Sequence, residues 1–484
     1  MALLSPQIPA RRRRPVLLIA AASALALAGC APDLGPAPKP KPIANYATAQ
    51  TFQAPAADWP AADWWTAYGD PQLTGLIEEG LKGSPTLAQA EARVRQAEAQ
   101  AQQAGAALLP HVAANGELQE ARQSLNMGFP PEFQQYLPHG WLPHARATAD
   151  LQWQLDFFGK NRAALAAATS EARAAQADAA AARLQLSTQV AGAYADLARL
   201  YAEREDAAAA LDLRQQTASL IGQRLQNGLE NRGGFALASA NVPAAQRQLT
   251  VIDQQIALTR HQLAALMGEG PDRGLSIARP TAVAGRGFGL PPALGADLIG
   301  RRPDIEAARL RAEAASRRIK VARAAYYPDI NLVASYGLES LGLGAFFNHN
   351  SQTGVVGPAI RLPIFEGGQL EGQLRGARAE YDAAVAAYDQ TLTNALHETA
   401  DAIAGVKAVS AQLGDARSAL ASAEESYRIA QQRYQGGLST YLDVLAAENT
   451  VLTDRQIVTD LQAQALSADV ALVRALGGGF RATT

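Results

Sequence analysis

One cysteine in 484 residues excludes a disulfide framework and any thiolate-rich metal site. The six histidines are scattered, with no pair at i,i+4 spacing, so a zincin-type centre has nothing to stand on. Charge of either sign is also scarce as an excess: 43 Lys and Arg against 45 Asp and Glu leave a net charge of −2. No nucleic-acid partner is expected from such a balance, because nucleic-acid binding normally shows as a basic excess. There is no Walker motif, nucleophile elbow or cluster of metal ligands, so neither enzyme activity nor a cofactor is expected. Carboxylate pairs such as Glu78-Glu79 and Glu424-Glu425 read as solvated helix faces. Aromatic residues are only 6% of the chain, whereas alanine is about a fifth of it. Alanine is the best helix former and the smallest side chain that still packs, so the composition points to long, thin, closely packed helices. The length has room for two or three ordinary domains.

The lone cysteine sits in an informative place. Arg11 to Arg14 form a positive start, and Val16 to Ala28 form an apolar run of 13 residues. That run is short of the ~20 residues of a spanning helix but fits the apolar region of a signal peptide. The following Leu27-Ala28-Gly29-Cys30 resembles the bacterial lipobox. Residues 1–29 are then a lipoprotein signal peptide, and Cys30 carries an S-diacylglycerol and an N-palmitoyl chain. By the same resemblance, Ala31 in place of Asp sorts the product to the outer membrane. An ordinary signal peptide with a chance cysteine, or a short buried helix, are the alternatives. Five prolines between Ala31 and Pro42 rule out a helix there, so 30–58 reads as a lipid-anchored extended linker. Trp59, Trp64 and Trp65 are expected to pack this arm onto the body; a membrane-interface belt is the other reading.

The chain is internally duplicated. Ala106-Ala107-Leu108-Leu109-Pro110 recurs around Ala324-Ala325-Tyr326-Tyr327-Pro328, and Leu155-Asp156-Phe157-Phe158-Gly159 recurs at Leu362-Pro363-Ile364-Phe365-Glu366-Gly367. Gln223-Arg224-Leu225-Gln226-Asn227-Gly228-Leu229 matches Gln432-Arg433-Tyr434-Gln435-Gly436-Gly437-Leu438, and Ala265-Leu266-Met267-Gly268 matches Ala475-Leu476-Gly477-Gly478. The halves are assigned to 59–270 and 301–476, with a linker at 271–300 and a C-terminal tail at 477–484. Within each half the pattern reads helix, strand, loop, strand, long helix, turn, helix. Residues 147–157 alternate apolar Ala147, Ala149, Leu151, Trp153, Leu155 and Phe157 with polar neighbours, the pattern of one transmembrane β-barrel strand. A strand of a soluble sandwich has the same pattern. Ile330 to Leu338 alternate more weakly, with 112–124 and 354–364 as partners; Pro358 counts against a central position. Lys160–Asn227 and Gln369–Gln435 contain no proline, and Leu184, Val190, Tyr194, Leu197 and Tyr201 recur at coiled-coil spacing.

Taken in order, four segments carry a resemblance to a known family. They are Arg301-Arg302-Pro303-Asp304-Ile305-Glu306-Ala307-Ala308, Leu362-Pro363-Ile364-Phe365-Glu366-Gly367-Gly368, Arg433-Tyr434-Gln435-Gly436-Gly437-Leu438-Ser439-Thr440-Tyr441-Leu442-Asp443-Val444-Leu445, and Ala475-Leu476-Gly477-Gly478-Gly479-Phe480. Over nearly the whole mature length the chain resembles outer-membrane factors of the TolC/NodT type, in their lipoprotein branch serving multidrug efflux. The resemblance implies a mainly α fold with a membrane β-barrel. Its duplicated strand-strand-long helix-helix repeat closes, as a homotrimer, a 12-stranded barrel on a long periplasmic helical barrel. Four strands cannot close a barrel alone, and open edges are not tolerated in lipid. The implied function is a passive exit duct in the outer membrane of a Gram-negative bacterium. Its implied partners are a periplasmic adaptor (membrane fusion) protein, an inner-membrane pump of the RND type and outer-membrane lipid. A type I protein-secretion duct of the same fold is one alternative. A periplasmic coiled-coil spacer without a pore is another, for which the alternation at 147–157 has no use.

The resemblance also places a gate where the helix pairs turn, near Arg224–Leu229 and Glu425–Leu438. Ile429 and Gln431 are the expected lumen-facing constrictors, and Arg428 or Arg433 the expected ties between helices. Gln431 stands where an acidic ring residue is expected. Plain coiled-coil core is the other reading of Ile429 and Tyr434. Gly228 marks the first hairpin turn, and Gly436-Gly437 are expected to supply the positive-φ positions of the second. Gly233-Gly234-Phe235 replaces Leu442-Asp443-Val444 in the first half, and Pro243 falls where Leu452 sits. A kinked or delayed return helix follows, and hence two tips of different structure.

Overall fold

The computed structural model describes residues 32–125, 128, 130–281, 289–291 and 294–482. Cys30 and the predicted signal peptide lie outside the described residues. The first half comprises α1 (Pro71–Gly83), α2 (Pro85–Ala106), β1 (His111–Ala121), β2 (Leu142–Gln154), α3 (Lys160–Gln226) and α4 (Arg232–Leu266). The second repeats this order with α5 (Leu294–Arg301), α6 (Pro303–Ala324), β3 (Asp329–Leu341), β4 (Gln352–Arg361), α7 (Gln369–Gln435) and α8 (Tyr441–Ala475). Both long helices have 67 residues and both return helices 35. At 1.5 Å per residue, a helix of that longer kind spans about 100 Å. Among the described residues no helix is long and apolar enough to cross a membrane.

The chain divides into two compact units. The first gathers residues 95–173 and 310–386 with the N-terminal stretch up to Lys39. It holds one antiparallel sheet in the order β1-β2-β3-β4, with His111 opposite Gln152, Gln154 opposite Asn331, and Asp329 opposite Arg361. The strand expected at 147–157 begins earlier, at Leu142, and ends at Gln154. Its last predicted residues instead form a turn, because the Asp156 carboxylate accepts the backbone N–H groups of Asn161 and Arg162 at 3.1 and 2.9 Å and so caps α3. Phe158 stacks on Tyr327 below the sheet, with ring centroids 4.7 Å apart. Pro358 lies opposite Leu332 in β4, which is an edge strand within one protomer.

The second unit gathers residues 40–94, 174–309 and 387–484. Here the arm does pack on the body. Trp64 and Trp65 are buried with Tyr68, edge to face, beside Leu73, Leu76, Ile77, Val190, Tyr194, Leu197, Leu263 and Met267. Trp59 joins a second cluster around Leu298, Ile305 and Leu392, with the Arg301 guanidinium 5.1 Å from its ring centroid. The duplication is visible in backbone contacts. α1 and α2 break at Ser84-Pro85 as α5 and α6 break at Arg302-Pro303. After α4, Gly268 sits so close that a Cβ would lie 2.3 Å from the Gly83 carbonyl oxygen; after α8, Gly477 stands 2.0 Å from that of Arg301 in the same sense. Only glycine fits either place, since both also have positive φ.

Asp70 ties the first of these knots. Its carboxylate caps α1 through the N–H groups of Gln72 and Leu73, at 2.8 and 3.2 Å, and accepts from the Tyr194 and Thr281 hydroxyls at 2.7 and 2.9 Å. Burial alone pushes this carboxyl up, but the hydrogen bonds from Tyr194, Leu73, Thr281 and Gln72 outweigh it and hold the pKa below the usual value. A lowered carboxyl stabilises the fold fully above its unfolded pKa of about 3.9 and loses that contribution as pH falls through the folded value. Asp70→Asn is therefore expected to lower stability by about 2 kcal/mol at pH 7. In thermal melts of the detergent-solubilised protein, the gap between wild type and variant should narrow below about pH 4. A gap that does not change with pH would mean that the charge at Asp70 is irrelevant.

Candidate channel surface and gate

The sheet has two chemically distinct faces, as its register dictates. Val112, Leu118, Leu151, Trp153, Tyr336, Val356 and Ile360 share one face, where most of them are exposed. Tyr336 on that face lies over Gly354, its ring 3.3 Å from where a Cβ would stand. The opposite face is polar. Glu117, Arg146 and Glu339 stand in one row across β1, β2 and β3. Beside them His144 Nε2 lies 3.0 Å from Glu339 Oε1, and Asp150 accepts from the Asn115 amide at 2.5 Å and the Thr148 hydroxyl at 3.0 Å. Such a wall meets hydrocarbon on one side and water on the other.

In the second unit, the two helical hairpins end in the same backbone turn. Gly228 and Gly437 have φ of 71° and 72°. The N–H groups of Leu229 and Leu438 each reach back to the carbonyls of Arg224 and Arg433 at 2.8 Å, closing a Schellman motif in both halves. Two expectations need correction here. Gly436 does not adopt positive φ; Gly437 alone supplies the left-handed position. The tips are also alike in backbone despite their different sequences, and α4 runs unbroken through Pro243. The differences fall on the caps. Asn231 accepts from the Gly234 N–H at 2.8 Å, whereas Thr440 and Asp443 form a reciprocal capping box.

Above the turns, Ile221, Ala238, Tyr434, Tyr441 and Val444 form a small buried cluster with Tyr427, Ala430 and Leu445 packed against it. The Arg224 guanidinium lies 4.8 Å from the Tyr434 ring centroid, and the Tyr434 and Tyr441 rings are 6.2 Å apart. Glu448 lies on the same seam, its side chain only 3% exposed, with Oε1 3.4 Å from Arg214 Nε. Farther along, Arg455 of α8 donates to Glu424 of α7 at 2.8 Å and faces Asp206 of α3 at 3.9 Å, joining three helices. Burial pushes the carboxyls of Glu448 and Asp206 up, against the pull of Arg214 and Arg455 respectively. The Tyr427 hydroxyl is pushed up to about 12, by burial first and by the Glu448 charge second.

Residues 76–269 and 294–478 match the outer membrane efflux protein family. The chain belongs to that family. Its relatives include the fusaric acid resistance protein FusA of Burkholderia cepacia, 39% identical over 386 residues that make up 77% of this chain and 71% of that one. The multidrug resistance outer membrane protein MdtP of Escherichia coli K12 is 32% identical over 475 residues, 94% of each. The crystal structure of the outer membrane protein VceC of Vibrio cholerae aligns with a TM-score of 0.81 at 44% identity, covering 87% of this chain and 100% of that one. The protein is thus an outer-membrane efflux factor of the TolC/NodT type. Its fold is the expected one: three four-stranded sheets close a 12-stranded barrel, joined to a helical barrel.

Within one protomer of the efflux factor, the residues predicted for the gate occupy the following places. Ile429 is 44% exposed. Gln431 is half-buried and donates to the Tyr427 hydroxyl at 2.7 Å, one turn earlier on α7. Arg428 pairs with Glu425 on its own helix, Nε to Oε2 at 2.7 Å, and so does not tie helices together within the chain. Arg433 is exposed. Tyr434 belongs to the buried cluster. Within the chain, Arg214, Arg224 and Arg455 tie helices together near these turns, and sequence reasoning missed them. A signal was available: Tyr441, Val444, Glu448 and Val451 follow a 3-4-3 spacing, so Glu448 is a carboxylate written into an apolar seam.

Removing the partner of a buried carboxylate costs more than the pair contributes. Arg214→Ala is expected to destabilise the hairpin by about 3 kcal/mol at neutral pH. A carboxyl with a raised folded pKa contributes fully below its unfolded value and loses that contribution as pH rises through the folded one. The Arg214→Ala defect should therefore recede on acidification, and a double variant with Glu448→Gln should remove that pH dependence. Hydrogen exchange along α8 between pH 4 and pH 8 reads this directly; a defect independent of pH would show that Glu448 is neutral in the native protein.

Proposed function

We propose that this efflux factor is the exit duct of a tripartite pump. It would receive small toxic molecules from a periplasmic adaptor and an inner-membrane transporter of the RND type and release them outside the cell. The observation that carries the reading is the two-faced, four-stranded sheet: apolar outward, charged inward and open at both edges, as one third of a water-filled barrel requires. Two relatives named for resistance to fusaric acid and to multiple drugs favour small molecules over exported proteins as cargo. Cys30 is proposed as the lipidation site, with the acyl chains in the outer membrane. Flow through the duct is passive, and the energy is supplied by the transporter.

Expressed with a matched adaptor and transporter in cells lacking their own outer-membrane efflux channels, the protein should restore resistance to small lipophilic toxins. Restored secretion of a type I protein substrate, without drug resistance, would favour the protein-secretion reading instead.

The constriction is proposed at Ile429 and Gln431, with closure resting on the buried cluster around Tyr434 and Tyr441. With an amide at position 431, the closed tip should discriminate only weakly between cations and anions. Gln431→Glu places three carboxylates around the constriction and should raise the cation preference of single channels in planar bilayers, while Ile429→Ala should raise their conductance. Reversal potential and conductance both unchanged would move the constriction away from this turn of α7.

A further inference from the structure

The N-terminal stretch of the first unit lies bonded against α7 and is not free. Arg378, buried apart from a margin and held by Asp382 at 2.8 Å, donates to the carbonyl of Gly35 at 3.2 Å and to that of Pro36. One turn on, the Tyr381 hydroxyl donates to the Pro38 carbonyl at 3.1 Å. The chain bends just before these contacts, where Asp33 accepts from the Gly35 N–H at 2.9 Å and Gly35 has φ of 72°. The chemistry of the two partners is matched. A strap with proline at 32, 36, 38 and 40 has few N–H groups to give and offers mainly carbonyls. Residues 378 and 381 lie on one face of the helix and offer only donors to it.

The order of the contacts fixes a direction. Gly35 and Pro36 meet Arg378, and Pro38 meets Tyr381, so strap and helix run the same way. Moving back from Pro38 to Gly35 therefore leads toward the start of α7 at Gln369, just after β4 ends at Arg361. Nine residues of helix separate Arg378 from Gln369, about 14 Å. Five residues of extended chain separate Gly35 from Cys30, at most about 17 Å. That reach is enough to cover the distance back to Gln369.

We propose that Arg378 and Tyr381 are positioning residues for the lipid anchor: by fixing the register of the strap on α7, they deliver the Cys30 acyl chains to the membrane level at the foot of the barrel. The proposal rests on the reading of Cys30 as the lipidation site. A strap held three residues out of register would either lift the acyl chains out of the bilayer or pull the strap from its helix.

The test shortens the tether. Deleting Pro32 to Leu34 removes about 10 Å of reach while leaving Cys30, Ala31 and the clamp intact. Heat-modifiable trimer recovered from outer membranes should fall several-fold for the lipidated deletion variant. The same deletion behind a non-lipoprotein signal peptide, with Cys30→Ser, should leave the yield as it was. Combining the deletion with Arg378→Ala and Tyr381→Phe should restore the lipidated trimer, because a released strap can slide. The proposal is overturned if the deletion is harmless in the lipidated chain, is equally harmful without the lipid, or is not relieved by releasing the clamp. Labelled-palmitate incorporation separates the two layers of the argument. A wild-type protein that takes up label while the deletion fails these comparisons sinks the register alone; a wild-type protein without label sinks the lipoprotein reading, and the register with it.

Discussion

A backbone N–H or C=O that faces hydrocarbon without a partner is among the costliest defects a membrane protein can carry, and β1 and β4 each present a row of them along one side. Nothing within the described chain covers those rows. The sheet can therefore exist in a bilayer only when β1 of one copy meets β4 of the next. With four strands from each of three copies, the ring closes at 12. Trimerisation is thus a condition for the existence of this fold in lipid, prior to any contact between helices. The alternation of apolar and polar residues follows from the same closure, since a closed ring has an inside and an outside.

Closure passes a second constraint to the helices. Each protomer carries two 67-residue helices, each followed by a return helix of 35 residues. Helices so rich in alanine bury little area per residue, so larger anchors have to hold them at intervals. The two clusters around Trp64 and around Leu298 do this in the second unit, each beside a break before proline and a glycine pressed on a carbonyl. The recurrence of that device at Gly268 and Gly477 shows why the duplicated motif ends in glycine: a methyl group there would drive two backbones apart.

Much of this was legible in the residues. Alternation announces β2 because one face must meet lipid, and the absence of proline from Lys160 to Gln226 announces α3 because nothing interrupts its hydrogen bonds. Legibility failed where a local preference was outvoted by its surroundings. Pro243 removes one hydrogen bond from α4, but Ala238, Ala245, Ile252 and Ile256 keep the helix buried on either side, and it continues. Gly436 looked like a second left-handed position because it adjoins Gly437, yet a Schellman turn needs only one. The strand expected to Phe157 stopped at Gln154 because Asp156 found better partners at the start of α3. Arg214 and Arg455 escaped notice for a different reason: their partners lie more than 200 residues away, or on two helices at once, and no local pattern encodes that.

Those buried charges bear on how the seam behaves. A charge pair at a core position of a coiled coil contributes little net stability, and an apolar pair of equal volume often holds more firmly. Glu448 with Arg214 therefore does not make this seam strong. What the pair does is penalise alternative registers, since a shift of one turn would leave the Glu448 carboxylate unpaired in an apolar layer. For the gate proposed at this tip, closure strength then comes from the aromatic cluster around Tyr434 and Tyr441, which lies next to the turns and is small. A seam whose register is fixed by charge and whose closure depends on a few rings would part there without losing its alignment farther up. A duct gated in that way needs both properties to return to the same closed state after each opening.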